Sequence, residues 1–491
     1  MLVYNHLFIG GNWVVPDSTT TFEVISPSTE ECVGRSPNPS LRDMEQAVAA
    51  AREAFDEGPW PRMTPQERAE VLRRIRDGML ARATDFGGIL ADEAGLPVTT
   101  WGSVASPVGK LEYFADLIER YNFAELREGR NADVIVRSHP VGVVAAIVPW
   151  NSPLSVGFMK LAPALAAGCT VIFKTDQNIP LHTYLLGEVL QGAGLPPGVV
   201  NLVPGDPVVS EALVSHTNVD KVSFTGSTAT GRRVGEICGR SLKRCTLELG
   251  GKSAAIVLDD VNLEGVIGRL AGATALNNGQ ACVLQSRVIA PRGRYNEVVA
   301  ALGEALAKMQ VGDPHDPKTA FGPLINARQR DRVESYVEIG RSEGANVVLG
   351  GGRPSALDRG YFVEPTLLRD VDNSMRIAQE EVFGPVIAVI PYDDEEEAVA
   401  IANDSPYGLS GTVWTGDINR GLATAAKVRT GNFGVNLFAM ENCAPFGGVK
   451  QSGYGWENGP EGLHAFLSLE SIHVPKGTPV GLRPEGIETT T

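Results

Sequence analysis

The chain is poor in cysteine and scatters what it has. Cys32, Cys169, Cys238, Cys245, Cys282 and Cys443 form no CxxC pair and lack the density of a disulfide framework. That excludes a small stapled secreted module, fits a reducing cytoplasm and gives no spacing from which to expect a metal site. Basic clusters are also lacking. With 43 Lys and Arg against 58 Asp and Glu the formal charge is −15, and no stretch is positive enough to follow a phosphate backbone, so nucleic acid is excluded as a partner. There is no GxGxxG fingerprint, no internal repeat and no low-complexity tract apart from a Thr-rich C-terminal end, which is expected to fray. The opening MLVYNHLFIGGNW has no basic region ahead of an apolar run, so no signal peptide is expected. Residues 154–173 are apolar enough to resemble a membrane span, but Lys160, Pro163 and Gly168 interrupt them at spacings suited to a buried helix, turn and strand.

What is present is ordinary globular material, 43% hydrophobic and 21% charged, in a chain of 491 residues that exceeds one usual core and predicts two large domains. Thr64-Pro65-Gln66-Glu67 is a capping box with proline at the first helical position, and Gly95 followed by Pro97 is a stop, which predicts one long helix between them. Residues 41–55 carry helical apolar spacing, and residues up to about 35 read as short strands. From Val143 onward VVAAIV, CTVIF, VVNLV, KVSF and CTLE alternate with helical stretches. Such alternation predicts a parallel sheet with crossover helices and a ligand crevice at the carboxyl ends of the strands. After Gly251 a second alternation follows, with SRVIA, NVVLG, VIAVIPY, LSGTVW and GNFGVN as strands and residues 295–309 and Glu395–Asn403 as helices. The predicted fold class is therefore α/β, with two Rossmann-like parallel-sheet domains. ADVIVRSHP and the residues after His464 are strand-like but belong to neither repeat, and are expected to serve subunit contact.

Leu247-Glu248-Leu249-Gly250-Gly251-Lys252, followed by Gly279-Gln280-Ala281-Cys282, resembles the aldehyde dehydrogenase superfamily. The likeness runs along nearly the whole chain. Pro149-Trp150-Asn151, Phe224-Thr225-Gly226-Ser227, Gly322-Pro323-Leu324, Glu364-Pro365-Thr366, Glu381-Val382-Phe383-Gly384-Pro385-Val386 and Pro445-Phe446-Gly447-Gly448 all fall in the family's order. One such motif is weak evidence; the ordered set is strong. The resemblance implies an NAD-binding domain of residues 1–120 and 141–250, a catalytic domain of 251–448, and oligomerisation strands in 121–140 and 464–491 that make a homodimer or homotetramer.

Oxidising an aldehyde by hydride transfer requires a tetrahedral adduct, and a thiolate supplies one. Attack by Cys282 gives a thiohemiacetal that expels hydride to a nicotinamide and leaves a thioester for water to hydrolyse. The resemblance implies that the Asn151 side chain and the Cys282 backbone N–H form an oxyanion hole. Glu248, at the end of an apolar strand, is the candidate base for deacylation. Branches that pass the acyl group to coenzyme A generally lack this glutamate, so its presence favours release of the free acid. Taken alone, Asn151 reads as a turn residue, Glu248 as a strand-end carboxylate paired with Lys252, and Cys282 as a small buried hydrophobe, the state expected here of Cys169, Cys238 and Cys245.

For the cofactor, Gly226 and Ser227 lie where KVSF gives way to a helix, so backbone amides and the positive helix end can hold pyrophosphate. The resemblance assigns Lys174 to the adenosine ribose, Ile147, Val148, Pro149 and Trp150 to the nicotinamide wall, Glu381 to the nicotinamide ribose and Phe383 to the nicotinamide side. Gln177, Gly205, Phe224, Leu249 and Gly250 complete the expected contacts. Where the family commonly carries a ribose-binding glutamate this chain has Gln177, with Asp176 beside it. NAD is favoured and NADP stays open. The substrate pocket is expected from Ser152, Val156, Met159, Val283, Leu437, Phe438, Met440 and Phe446, with Ser152 at a position often aromatic in the family. An apolar pocket without an arginine or aromatic cage favours a medium aliphatic, terpenoid or aromatic aldehyde over succinic semialdehyde or betaine aldehyde. The alternatives are a semialdehyde dehydrogenase, a non-redox thioesterase or acyltransferase using Cys282, and a non-catalytic member of the fold.

Overall fold

The computed structural model describes residues 1–100, 102–483 and 486–487. The strand–helix alternation after Val143 builds an eight-stranded sheet. Its order is Gly453–Tyr454, Arg244–Glu248, Lys221–Thr225, Val143–Ile147, Thr170–Lys174, Val200–Leu202, Leu7–Ile9 and Asn12–Val14. The five strands from Arg244–Glu248 to Val200–Leu202 are mutually parallel, and the edge strands are antiparallel. Val143–Ile147 and Thr170–Lys174 are buried along their whole length, as parallel strands covered on both faces must be. The covering helices are α1 (Leu41–Asp56), α2 (Pro65–Ala81), α3 (Ala83–Ala94), α4 (Ala105–Arg120), α5 (Pro153–Ala167), α6 (Leu181–Gly192), α7 (Pro207–Ser215) and α8 (Thr228–Arg240). Side chains of α1, α7 and α8 pack on one face and those of α2 to α6 on the other. Each Leu or Val buried this way contributes roughly 1.5–3 kcal/mol.

The second alternation forms a seven-stranded sheet in the order Asn346–Leu349, Thr366–Arg369, Val386–Tyr392, Arg287–Pro291, Ala254–Val257, Gly411–Trp414 and Gly434–Val435. All its pairs are parallel except the first. The chain is thus α/β with two parallel-sheet units. Asp133–Pro140 pairs antiparallel with Ala124–Glu128 and with Leu467–Val474 in a separate three-stranded sheet.

Several expectations need correction. The capping box at Thr64 is present, but the helix it opens ends at Ala81, and a second one runs from Ala83 to Gly95, which caps it at φ 68°. Arg82 interrupts the run at φ −112°, ψ 18°, and its guanidinium is drawn to Asp85 at 2.5 Å and Glu188 at 3.0 Å. Helix α4 was not foreseen, because Val104 provides no side-chain cap and Pro107 and Gly109 lie inside the helix. Ala254–Val257 and Thr366–Arg369 are further unforeseen strands, each only four residues long and without alternation to betray it. GNFGVN contributes only Gly434–Val435, since Asn436 turns at φ 58°. The apolar stretch at 154–173 is, as expected, helix α5, a left-handed Gly168 at φ 93° and a strand. No described helix is long and apolar enough to cross a membrane. The fraying expected of the Thr-rich end concerns residues 488–491, outside those described.

Candidate active site

Cys282 follows a tight turn, Leu276–Gly279, in which Asn277, Asn278 and Gly279 take successive φ of 49°, 56° and 75°. Such left-handed backbone costs a side chain roughly 1–2 kcal/mol per residue, and here hydrogen bonds offset it. Asn277 Nδ2 donates to Asn151 O at 2.6 Å and Gln280 O at 3.1 Å, and Asn278 donates to Gly95 O at 3.0 Å and accepts from Gly322 N at 2.7 Å. Gln280 Oε1 accepts from Ile325 N at 3.0 Å. A Cβ on Gly279 would collide with the Gly384–Pro385 peptide. Asn151 Nδ2 donates to Gln280 O at 2.8 Å, which ties the asparagine to the cysteine loop and leaves its second amide hydrogen for another acceptor.

Cys282 shares one cavity of about 40 Å³ with Asn151, Glu248, Ser152, Val156, Met159, Val283, Met440 and Phe446. Burial pushes the Cys282 thiol up to about 12, reinforced by the charges of Glu381 and Glu248. Glu248 is buried, and neither carboxylate oxygen has a hydrogen-bond partner among the described residues. Its proton affinity is raised well above the usual carboxylate range by burial first and by the Glu457 charge second, with Lys160 opposing. Lys160, fully buried in α5, pairs with Glu457 and donates to Thr225 Oγ1 at 2.7 Å. The Glu248–Lys252 pair read from sequence is not formed among the described residues; Lys252 is separately buried and pressed down to about 7.

A cleft of about 510 Å³ opens at the carboxyl ends of the first sheet's parallel strands, and Ile147, Val148, Pro149, Trp150, Lys174, Gln177, Gly205, Phe224, Gly226 and Ser227 line it. Ser227 caps α8 by accepting from Thr230 N at 3.2 Å, so the positive end of that helix and its first N–H groups face the cleft. Burial lowers Lys174, with Asp176 and Asp206 opposing. This arrangement of helix end, buried cation and apolar wall fits a dinucleotide. Glu381 and Phe383 border a smaller hollow next to it. Phe383, at φ 63°, meets Trp150 edge to face at 5.4 Å, while Glu381 turns inward to accept from Gly251 N at 3.0 Å and is raised by burial to about 7. Leu249 and Gly250 line neither space; Leu249 packs in the core, and Glu381 sits against Gly250.

Two pocket expectations fail. Leu437 is 49% exposed because the turn at Asn436 carries it outward, and Phe438 packs behind the cavity wall with Met159 and Phe446. Cys169 and Cys238 are buried as expected, but Cys245 is only partly so. Its Sγ lies 2.7 Å from the Tyr454 hydroxyl, and Cys238 and Tyr454 together hold it down to about 6. Missed cavity residues are Ser155, Thr225, Asn277, Ala281 and Glu457. The i, i+3 and i+4 spacing from Ser152 signals Ser155, whereas Glu457 arrives from far along the chain with no local signal. In the cleft, Asn178, Glu211 and Arg233 were missed, and Arg233 is already engaged by Glu211 at 2.7 Å and Glu236 at 3.1 Å.

The family model described as "Aldehyde dehydrogenase family" matches residues 13–472. Among similar curated proteins is the geranial dehydrogenase of Castellaniella defragrans, 46% identical over 96% of this chain and 99% of that protein. Another is a 3-succinoylsemialdehyde-pyridine dehydrogenase of Pseudomonas sp, 40% identical over 96% and 98%. The structure also resembles that of Mycobacterium tuberculosis aldehyde dehydrogenase complexed with NAD+, with TM-score 0.96, 47% identity and coverage of 98% and 100%.

Proposed function

Since the chain belongs to the aldehyde dehydrogenase family, we propose that it oxidises a medium-sized, largely apolar aldehyde to the carboxylic acid, using NAD and water, through a thioester on Cys282. The observation that carries this reading is the single cavity holding Cys282, Asn151 and an unpartnered, buried Glu248 beside the strand-end cleft. NAD, when bound, accepts the hydride. Lys174, Gly226, Ser227 and the start of α8 would hold its phosphate and ribose portion, and Ile147, Val148, Pro149 and Trp150 its other end.

In the reaction, the Cys282 thiol gives its proton to water and its sulfur bonds to the aldehyde carbon. The carbonyl oxygen becomes an oxyanion, held by Asn151 Nδ2 and the Cys282 backbone N–H; one such donor contributes about 3 kcal/mol. As the oxyanion reforms a carbonyl, hydride leaves and a thioester remains. Glu248, made more basic by burial, takes a proton from water, the hydroxide adds to the thioester, and the carbon–sulfur bond breaks to return Cys282 and release the acid. The described residues lining the Cys282 cavity include no histidine, which weighs against a thioesterase working by a Cys–His pair. NAD is favoured over NADP because Asp176 and Glu211 line the cleft and Arg233 is already paired. Residues 1–120 and 141–250 are assigned to cofactor binding, 251–448 to catalysis, and 121–140 with 464–491 to assembly of a cytoplasmic homodimer or homotetramer.

A panel of aldehydes followed by absorbance with NAD and with NADP tests the assignment. NADH should form from at least one apolar aldehyde and be abolished by Cys282→Ala. Activity surviving that substitution overturns it.

A further inference from the structure

Most of the wall beyond the reacting residues is apolar, formed by Val156, Met159, Val283, Met440 and Phe446. Ser152, Ser155, Thr225, Asn277 and Glu457 interrupt it with polar groups, and one of them ends a hydrogen-bonded relay. Ser155, on α5, lines the same cavity as Cys282, and its Oγ lies 2.7 Å from Ser106 Oγ of α4. Ser106 Oγ in turn lies 2.6 Å from the Nζ of Lys110, one helical turn further along α4. Lys110 is only 5% exposed and forms no ion pair among the described residues.

An ammonium can only donate, so Ser106 accepts from Lys110. Accepting from a cation makes the Ser106 hydroxyl a stronger donor, and of the two possible directions of the Ser106–Ser155 bond this favours donation from Ser106 to Ser155 Oγ. In that direction Ser155 keeps its own hydrogen to give into the cavity it lines. Burial presses Lys110 down to about 8, with the Glu457 charge opposing, which leaves the ammonium protonated at neutral pH and the order of donors intact. Ser155 stands in the first turn of α5, just after the Ser152 cap, and shares the Cys282 cavity with Asn151.

We propose that Ser155, oriented through Ser106 by the buried Lys110, is a specificity-determining donor of the aldehyde pocket. It selects an aldehyde that carries, apart from the reacting carbonyl, an acceptor oxygen of a carboxylate or of an ester or keto carbonyl within reach of Ser155. Lys110 and Ser106 are positioning residues, and the inference rests on the aldehyde dehydrogenase reading above.

The test measures NADH formation from hexanal, from adipic semialdehyde and from its methyl ester, with wild type and with Ser155→Ala, Ser155→Thr and Lys110→Met. One or both oxygenated aldehydes should exceed hexanal in kcat/KM by about ten-fold or more, the scale of one charge-assisted hydrogen bond. Preference for both indicates a neutral acceptor, and preference for the acid alone an anionic one; either supports the proposal. Ser155→Ala and Lys110→Met should bring the ratio toward one through KM for the oxygenated substrates, while Ser155→Thr, which keeps the hydroxyl, should retain it. If Lys110→Met does not fold, the two serine variants decide. A wild type that oxidises hexanal with no such preference, or a preference that persists in Ser155→Ala, overturns the proposal. NADH formation from none of these or any other aldehyde overturns the dehydrogenase reading, and this inference with it.

Discussion

At Glu248, Glu381 and Cys282 burial acts in the same direction, holding protons on, and the two carboxylates raise the thiol further. For Glu381 this has a consequence for stability. A carboxyl raised to about 7 in the folded chain, against an ordinary 4.5, binds its proton more tightly folded than unfolded. Its stabilising contribution is fully present below the unfolded value and is lost as pH rises through the folded one. Glu381→Gln should therefore melt at a temperature that gains on wild type from about pH 4.5 to about 7 and levels off above; a difference independent of pH would contradict the buried placement. In the cofactor cleft, Gln177→Glu restores a carboxylate where a 2′-phosphate would lie. The ratio of kcat/KM for NAD over NADP should rise on the order of ten-fold, equivalent to about 1.4 kcal/mol of like-charge repulsion; an unchanged ratio would place the ribose elsewhere.

Among the elements, the turn Leu276–Gly279 places Cys282, the proposed nucleophile, by holding three successive left-handed residues. Gly279→Ala should cost on the order of 1–3 kcal/mol in strain, with more from the collision at Gly384, and should lower kcat as Cys282 shifts. Urea unfolding and steady-state rates on the same preparation check both, and a variant with wild-type stability and kcat would contradict this role. The elements legible in the sequence are those whose signals are local. The Thr64 capping box, the change from strand to helix at Gly226-Ser227 after KVSF and most of the β-branched runs each depend on a few neighbouring residues, and the structure places them as read. Where several long-range contacts decide, reading along the chain fails. Helix α4 forms without a cap because α2 and α5 pack against it, and Glu457 reaches the cavity only because its loop folds back beside Lys160. At the helix break, Arg82 pairs with Glu188, more than a hundred residues away, as well as with the neighbouring Asp85.

Over the whole molecule, the three-stranded sheet of Ala124–Glu128, Asp133–Pro140 and Leu467–Val474 leaves Leu126 42% and Leu469 71% exposed. Exposed leucines on a small sheet fit a subunit contact. Light scattering should show a dimer or tetramer that Leu126→Lys with Leu469→Lys dissociates; a monomeric wild type would contradict the assembly assignment. The reacting groups, too, come together only at this scale. Glu248 ends a strand of the first sheet, Cys282 stands between two strands of the second, Ala254–Val257 and Arg287–Pro291, and Asn151 bridges to the cysteine loop from just before α5. The central claim is that these groups divide one reaction, with Cys282 forming the thioester and Glu248 hydrolysing it. Rapid mixing of Glu248→Gln with NAD and an aldehyde that wild type turns over, combined with mass measurement of the Cys282 peptide, tests this most directly. The account predicts a burst approaching one NADH per chain, an acyl group retained on Cys282 and slow turnover afterwards. No burst and no acyl adduct would contradict it.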